Sequence, residues 1–566
     1  MTLIRNLLLL VTAAAAAPSP LVETLPSLPA PVAARSVCAG NTAADRSVWC
    51  DYSIDDDYYD VVPDTGVTVE YWLEITNITI APDGFERVVL AINNTLPGPT
   101  LEANWGDFVK IHVTNRLTTN GTGIHWHGIR QNYTVQNDGV SSITQCPIAP
   151  GETLTYQWRA TQYGTSWYHS HWSLQAWEGV AAPLIINGPA TANYDEELGT
   201  ILLTDWSHET ADALYPSAEA NGPPLLTTGL INGHNVWDGL GSRYNTSIVA
   251  GTKYRVRIIN GAIDTFFKWS IDNHTFTVIA MDFVPIVPFE ATVLDITMGQ
   301  RYDVVFEADQ AIADYWMRAI PQETCSSNNN TDNIRGILRY DNTSTADPVS
   351  QAWAQVDSCE DMPYDSLVPH LSQTVVHPTY DGSNMTVSVF ASGSVFKWKI
   401  GNDSMMVLWD EPSLLQISNG NTTFEEQDVV YKLPEANEWV YFVIETIVAV
   451  PHPIHLHGHD FYILAQAESA TYNDSVTLNL VNPPRRDVAV LPGNGYLVVS
   501  FLTDNPGAWL MHCHIGWHLS EGLALQFIER ESEIPALLDT ETLDSTCASW
   551  DAWTATSQIT ELDSGV

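Results

Sequence analysis

Gly106-Asp107-Phe108-Val109-Lys110-Ile111-His112-Val113-Thr114-Asn115 alternates apolar and polar residues behind a leading glycine, the period of a half-buried β-strand. The pattern returns as Gly251-Thr252-Lys253-Tyr254-Arg255-Val256-Arg257-Ile258-Ile259-Asn260. A looser third copy reads Asn437-Glu438-Trp439-Val440-Tyr441-Phe442-Val443-Ile444-Glu445. Each copy is followed by a second Gly-led strand, beginning at Gly151, Gly299 and Gly495. The spacing between copies is several times that of a solenoid unit, so the repeat is one of whole domains. The expected fold is all-β, three β-sandwich domains in tandem at residues 36–190, 191–355 and 356–566.

Composition agrees with a large packed protein. The chain has 566 residues, 45% hydrophobic and 16% charged, too long for a single core and too apolar for a disordered chain. Lys and Arg number 23 against 67 Asp and Glu, a net charge of −44. Such a surface repels phosphate backbones and anionic lipid, which argues against nucleic-acid binding and a polybasic membrane anchor. The start has the grammar of a secretory leader at residues 1–17: Arg5, a short apolar run, then small residues before Pro18. Residues 18–35 read either as a removed pro-segment or as a mature tail. Sequons at Asn77, Asn93, Asn120, Asn132, Asn245, Asn273, Asn329, Asn342, Asn384, Asn402, Asn421 and Asn473 fit a glycosylated, secreted, extracellular protein. Secretion permits disulfides, and Cys38 with Cys50 and Cys325 with Cys359 are plausible short loops. Seven cysteines leave one outside any paired scheme, and six allow 15 connectivities.

Eleven of the 17 histidines fall in four clusters: His125 and His127; His169 and His171; His452, His455, His457 and His459; His512, His514 and His518. Two clusters belong to the first repeat and two to the third, so a metal site at their junction explains the distribution. On a strand, residues i and i+2 share a face, so a His-x-His pair serves neighbouring ions. In His512-Cys513-His514 the histidines face one way and Cys513 the other, joining two sites through adjacent backbone. Cys513 with His452 and His518 is the ligand set of a blue-copper centre. Leu523 stands where an axial group could sit and cannot ligate, which raises the potential relative to a Met-liganded site. Eight imidazoles remain, enough for three further coppers: His125, His127, His169, His171, His455, His457, His512 and His514. Zinc fits poorly: there is neither a closed four-ligand set nor a His-Glu-x-x-His motif.

These motifs, with Asn482-Pro483-Pro484-Arg485-Arg486-Asp487, Thr503-Asp504-Asn505-Pro506-Gly507-Ala508-Trp509 and the terminal Asp563-Ser564-Gly565-Val566, closely resemble the blue multicopper oxidases, and within them the laccases of ascomycete fungi. The resemblance runs from about residue 62 to the C-terminus. It implies cupredoxin-like Greek-key domains and four copper ions per chain. A type-1 copper falls on His452, Cys513 and His518, and a type-2 copper on His125 and His455. A type-3 pair takes His127, His169, His171, His457, His512 and His514. His459 then supports ligands rather than serving as one. The implied reaction is one-electron oxidation of four phenol or aromatic-amine molecules coupled to reduction of dioxygen to water. Electrons are expected to arrive at an exposed edge of His518 and leave through Cys513.

The resemblance also assigns two acids. Asp264 lies beside the reducing substrate, where a carboxylate accepts the proton that an oxidised phenol sheds. Asp138, in Asn137-Asp138-Gly139, helps deliver protons to the trinuclear centre. Cys146 with Cys547 becomes the long-range disulfide, and residues 563–566 become a plug in the oxygen channel. Ala182-Pro183 departs from the family pattern and bears on pocket shape. The expected enzyme acts as a monomer on small molecules. The alternatives are another multicopper oxidase, acting on ascorbate, bilirubin or Fe(II), and a copper-binding electron carrier without turnover. Leu523 counts against the ascorbate type, and the eight extra imidazoles against the carrier.

Overall fold

Along Phe108–Asn115, Val109, Ile111, Val113 and Asn115 are buried while Lys110, His112 and Thr114 keep contact with solvent, as a period of two requires. The computed structural model describes residues 38–340 and 343–557, without the side chains of 380–384. The leader at 1–17, the segment 18–35, the sequon asparagine Asn342 and the tail 563–566 lie outside the described residues.

The two strands that repeat in the sequence are hydrogen-bonded neighbours in all three copies. Phe108–Asn115 runs antiparallel to Thr153–Arg159, Lys253–Asn260 to Arg301–Glu307, and Trp439–Thr446 to Tyr496–Leu502. On its other side each first strand takes a parallel partner from earlier in the chain: Thr68–Ile80, Glu196–Trp206 and Thr379–Ser392 respectively. Non-sequential neighbours of this kind are the mark of Greek-key connections. A second sheet faces each of these, so the architecture is three cupredoxin-like β-sandwiches in tandem.

The second sheets carry the chemistry. In the first copy the order is Leu101–Asn104, Ala181–Asn187, Gly164–Ser170, Ile124–Trp126, which sets His125 directly opposite His169. In the third it is Val430–Leu433, Ala524–Glu529, Gly507–Cys513, His452–Leu456, Val488–Leu491, which sets His455 opposite His512 and Ile454 opposite Cys513. Cross-strand pairing therefore brings clusters together that the chain separates by dozens of residues.

Two helices pack onto the sandwiches close to these sheets. Thr540–Thr554 starts at Asp539, whose carboxylate accepts the Thr542 N–H, and buries Leu543, Cys547 and Trp550 along one stripe. Its Cys547 is bonded to Cys146, 401 residues earlier. Cys325 is bonded to Cys359, and Cys38 and Cys50 are each disulfide-bonded. Cys513 is the free cysteine, and it is buried. The other helix, Ala211–Asn221, starts at Thr210, whose hydroxyl accepts the Ala213 N–H, and it lies against Val395–Ile400 and Gly516–Ser520.

Candidate metal centre

Ten histidines and one cysteine from the first and third sandwiches converge in the interior, every one of them buried. Cys513 Sγ lies 3.6 Å from His452 Nδ1 and 3.6 Å from His518 Nδ1, and those two nitrogens are 3.2 Å apart. Leu523 is buried beside them. Its carbonyl accepts the Cys513 N–H, and its N–H donates to the His518 carbonyl. His518 is only 3% exposed, with the Trp398 ring over it at 4.3 Å. Only that narrow margin of the ring is left for the exposed imidazole edge expected from the sequence. The helix Ala211–Asn221 is tied down nearby, Tyr215 donating its hydroxyl to the Ser520 carbonyl.

The other eight imidazoles form the second group. His171, His457 and His512 bring one nitrogen each within mutual ligand distance, as do His125, His127 and His169, and His125, His455 and His457. His514 lies 5.2 Å from His127 and 5.8 Å from His169, ring centre to ring centre.

Hydrogen bonds fix which nitrogen faces the centre. His125 donates Nδ1–H to the Asp138 carbonyl, His169 to Ser170, His455 to Asp487 and His512 to Cys513. His457 donates to the Asp138 carboxylate at 2.8 Å, and Asp138 thereby links a histidine of the first sandwich to one of the third. His127 is reversed: its Nε2 donates to Asp487, leaving Nδ1 inward. The inward nitrogens Nε2 of His125, His169 and His455 and Nδ1 of His127 have no hydrogen-bond partner among the described residues. Nor does either ring nitrogen of His171 and His514. With both Nδ1 atoms protonated, the Nε2 atoms of His457 and His512 present lone pairs to each other at 3.3 Å. Facing acceptors at that distance repel, and a cation relieves them.

Burial, and then neighbouring imidazoles, holds His127, His169, His171, His455, His457, His514 and His518 well below the usual histidine range. Burial alone takes His452 down to about 3, and burial outweighing the Cys513 carbonyl takes His512 to about 4. Neutral imidazoles with aimed lone pairs are metal ligands in waiting. Burial pushes the Cys513 thiol up, and a coordinated metal is what would deprotonate it. His459 stands apart: its Nε2 faces Glu529 at 3.1 Å and its Nδ1 donates to the His457 carbonyl.

Asp264 is buried, its carboxyl pushed well above the usual carboxylate range by burial and then by Asp205 and Glu521. Asp205 belongs to no motif. Its carboxylate accepts the backbone N–H groups of Ile263, Asp264 and Thr265 and the Thr265 hydroxyl, so it holds the loop that presents Asp264. It also walls a cleft of about 290 Å³ with Trp177, Trp206, Leu226, Ile263 and Trp517. The one sequence signal is an acid ending the apolar run Ile201-Leu202-Leu203-Thr204-Asp205.

The second sandwich also reaches the centre. A Cβ on Gly299 would meet His514 Cδ2 at 2.8 Å and His127 Cε1 at 3.1 Å, and its φ of +84° suits glycine. Two residues on, the buried Arg301 guanidinium holds both oxygens of Asp487, at 2.5 and 2.6 Å. Burial lifts the Asp487 carboxyl to about 7, against the pull of Arg301.

A tandem of cupredoxin-like sandwiches with this donor set describes a copper oxidase, and comparison with known proteins agrees. Three multicopper oxidase family profiles match residues 401–533, 74–191 and 197–343. Laccase-2 of Botryotinia fuckeliana is 50% identical over 564 residues, covering 96% of each chain. The crystal structure of a laccase from Botrytis aclada superposes with a TM-score of 0.90 at 50% identity, covering 93% of this chain and all of that one. Fet3p, a multicopper oxidase that functions in iron import, gives 0.77 at 25% identity over 86% of this chain and 95% of its own. The chain belongs to the multicopper oxidase family, in its ascomycete laccase branch. It is an oxidoreductase of the laccase type, with copper as its cofactor.

Proposed function

We propose that the chain is a secreted laccase that binds four coppers, one of type 1, one of type 2 and a type-3 pair. His452, Cys513 and His518 would hold the type-1 copper, with Leu523 as a non-ligating axial neighbour. His125 and His455 would hold the type-2 copper. His171, His457 and His512 would hold one type-3 ion, and His127, His169 and His514 the other. When bound, copper supplies one-electron chemistry at the thiolate site and four-electron reduction of dioxygen to water at the trinuclear site. The observation that carries the reading is His512-Cys513-His514. Cys513 turns to His452 and His518, while its flanking imidazoles turn to the eight-histidine group. The cysteine and its backbone thus form a covalent bridge between the two sites.

Phenols and aromatic amines are the proposed reductants, taken beside Trp517 and the Asp205 cleft. Asp264 is proposed as the base that accepts the phenolic proton, and Asp138 as the acid that positions His457 and passes protons toward the trinuclear ligands. Both sites are built within one chain, which supports a monomer. The family profiles ending at 191 and 343 support sandwich boundaries near 190 and 355. Secretion rests on the leader and the sequons, and no described helix is long and apolar enough to cross a membrane.

Oxygen uptake on phenol, aromatic amine, ascorbate, bilirubin and Fe(II), with copper counted per chain, tests this. Phenol and aromatic amine should lead, with full copper; faster uptake on Fe(II) or ascorbate would overturn the substrate class. Asp264→Asn should slow phenols by about 10²-fold and spare a donor that releases no proton, such as ferrocyanide. Equal losses on both would remove the proposed base.

A further inference from the structure

Four tryptophans outside both histidine groups lie in ring contact, and they start next to a proposed copper ligand. Trp172 follows His171 in the chain. Its ring stacks on Trp409 at 4.9 Å between centres, Trp409 meets Trp550 edge-on at 6.0 Å, and Trp550 lies 5.1 Å from Trp553. Trp172, Trp409 and Trp550 are 6%, 7% and 2% exposed, whereas Trp553 reaches solvent. The chain of rings thus runs from the dioxygen side of the protein to its surface, and it uses three separate stretches of sequence.

We propose that these four indoles form a path by which an oxidising equivalent stranded at the trinuclear site escapes to the surface. It rests on the copper assignment above. When reductant is scarce, Trp172 would give one electron to the oxidised centre that His171 would help hold, with dioxygen as the terminal oxidant. The vacancy passes by single-electron transfers to Trp409, Trp550 and Trp553. At Trp553 the indole N–H proton leaves to water. A phenol then gives the resulting radical one electron and one proton, restoring the indole and becoming a phenoxyl radical.

Two features favour passage over damage at the first step. The Trp172 indole N–H is buried and has no hydrogen-bond partner among the described residues, so an oxidised Trp172 has no base to take its proton and remains a cation. A buried unpaired cation is costly on any of the three buried rings, so the charge is favoured at Trp553, which reaches solvent. The far end is held in register: Trp550 and Trp553 share a helix face at i and i+3, and Cys547 on that helix is bonded to Cys146. Cys146 Sγ in turn lies 3.8 Å from the carbonyl of Asp410, the neighbour of Trp409.

The test compares the copper-loaded enzyme with Trp409→Phe during turnover in air under limiting phenol. Peptide mass spectrometry locates oxidised indoles, and the turnovers completed before inactivation are counted. The wild type should carry its oxidation at Trp553. Trp409→Phe should lose that signal, gain oxidation at Trp172, and complete fewer than half as many turnovers, with the same initial rate and blue colour. Unchanged oxidation sites or an unchanged lifetime would overturn the path, as would a lifetime difference that persists without dioxygen. If Trp409→Phe does not fold, Trp553→Phe carries the same test at the surface end: oxidation should retreat to the buried indoles and turnovers should fall, and an unchanged lifetime overturns the path. Copper content and initial oxygen uptake on the same samples report the copper assignment separately.

Discussion

Cys513→Ser is expected to abolish the blue absorption, lower the copper content by one ion per chain, and cut phenol oxidation by about 10³-fold or more, while the chain stays folded. The substitution changes one buried atom, and Ser is close to Cys in size, so the strand Gly507–Cys513 and its pairing with His452–Leu456 should persist. The chemistry does not persist. A hydroxyl does not supply the soft thiolate that, with His452 and His518, defines the site, and a thiolate–copper bond is the source of the colour. Six of the eight imidazoles of the other group are anchored, to Asp138, Asp487, Ser170 and the residue-513 carbonyl, and all of those anchors survive the change. Absorption, copper count, circular dichroism and phenol turnover separate these effects. A Cys513→Ser protein that stays blue would remove the assignment.

The repeated strand pair is legible in the sequence because alternation is a local signal, and Val109, Ile111 and Val113 carry it within one strand. The parallel partner Thr68–Ile80 is not, since pairing between distant segments leaves no local mark beyond the alternation each already has. The helix Ala211–Asn221 escapes for a similar reason: Ala211 and Ala218 are its buried residues, too weak a stripe to notice. That helix packs against Gly516–Ser520, and with Trp398 beside the ring His518 is left 3% exposed. The histidines are legible because His-x-His spacing is compact. Asp205, Gly299 and Arg301 are not, because each is a single residue acting on a distant segment, Asp205 within the second sandwich and the other two across domains. Histidine clusters point only to the first and third sandwiches, yet the second supplies the wall against His127 and His514.

Arg301→Met tests that contribution, and it should cost more stability than Cys513→Ser or Asp264→Asn. Arg301 and Arg486 balance Asp282 and Asp487 in one fully buried network: Arg301 holds both oxygens of Asp487, and Arg486 holds both of Asp282. Methionine fills a similar volume but leaves two buried carboxylates facing one guanidinium. Breaking a buried pair from one side costs about 3–5 kcal/mol, since the remaining charge is uncompensated. The site should suffer with the fold. Asp487 fixes His127 through Nε2, and its carbonyl fixes His455 through Nδ1, so a displaced Asp487 misaims an imidazole in each of two proposed copper sites. Arg301→Lys keeps the charge but loses the two-pronged grip, and should fall between wild type and Arg301→Met. The readouts are the denaturant midpoint, copper per chain and the blue band. The blue band reports His452, Cys513 and His518, none of which contacts Arg301, so it should persist while copper at the eight-histidine group is lost. Full copper and an unshifted midpoint in Arg301→Met would show that the second sandwich is a spacer. Loss of the blue band together with the rest would mean general unfolding. Only selective loss makes the middle domain part of the oxygen-side metal centre.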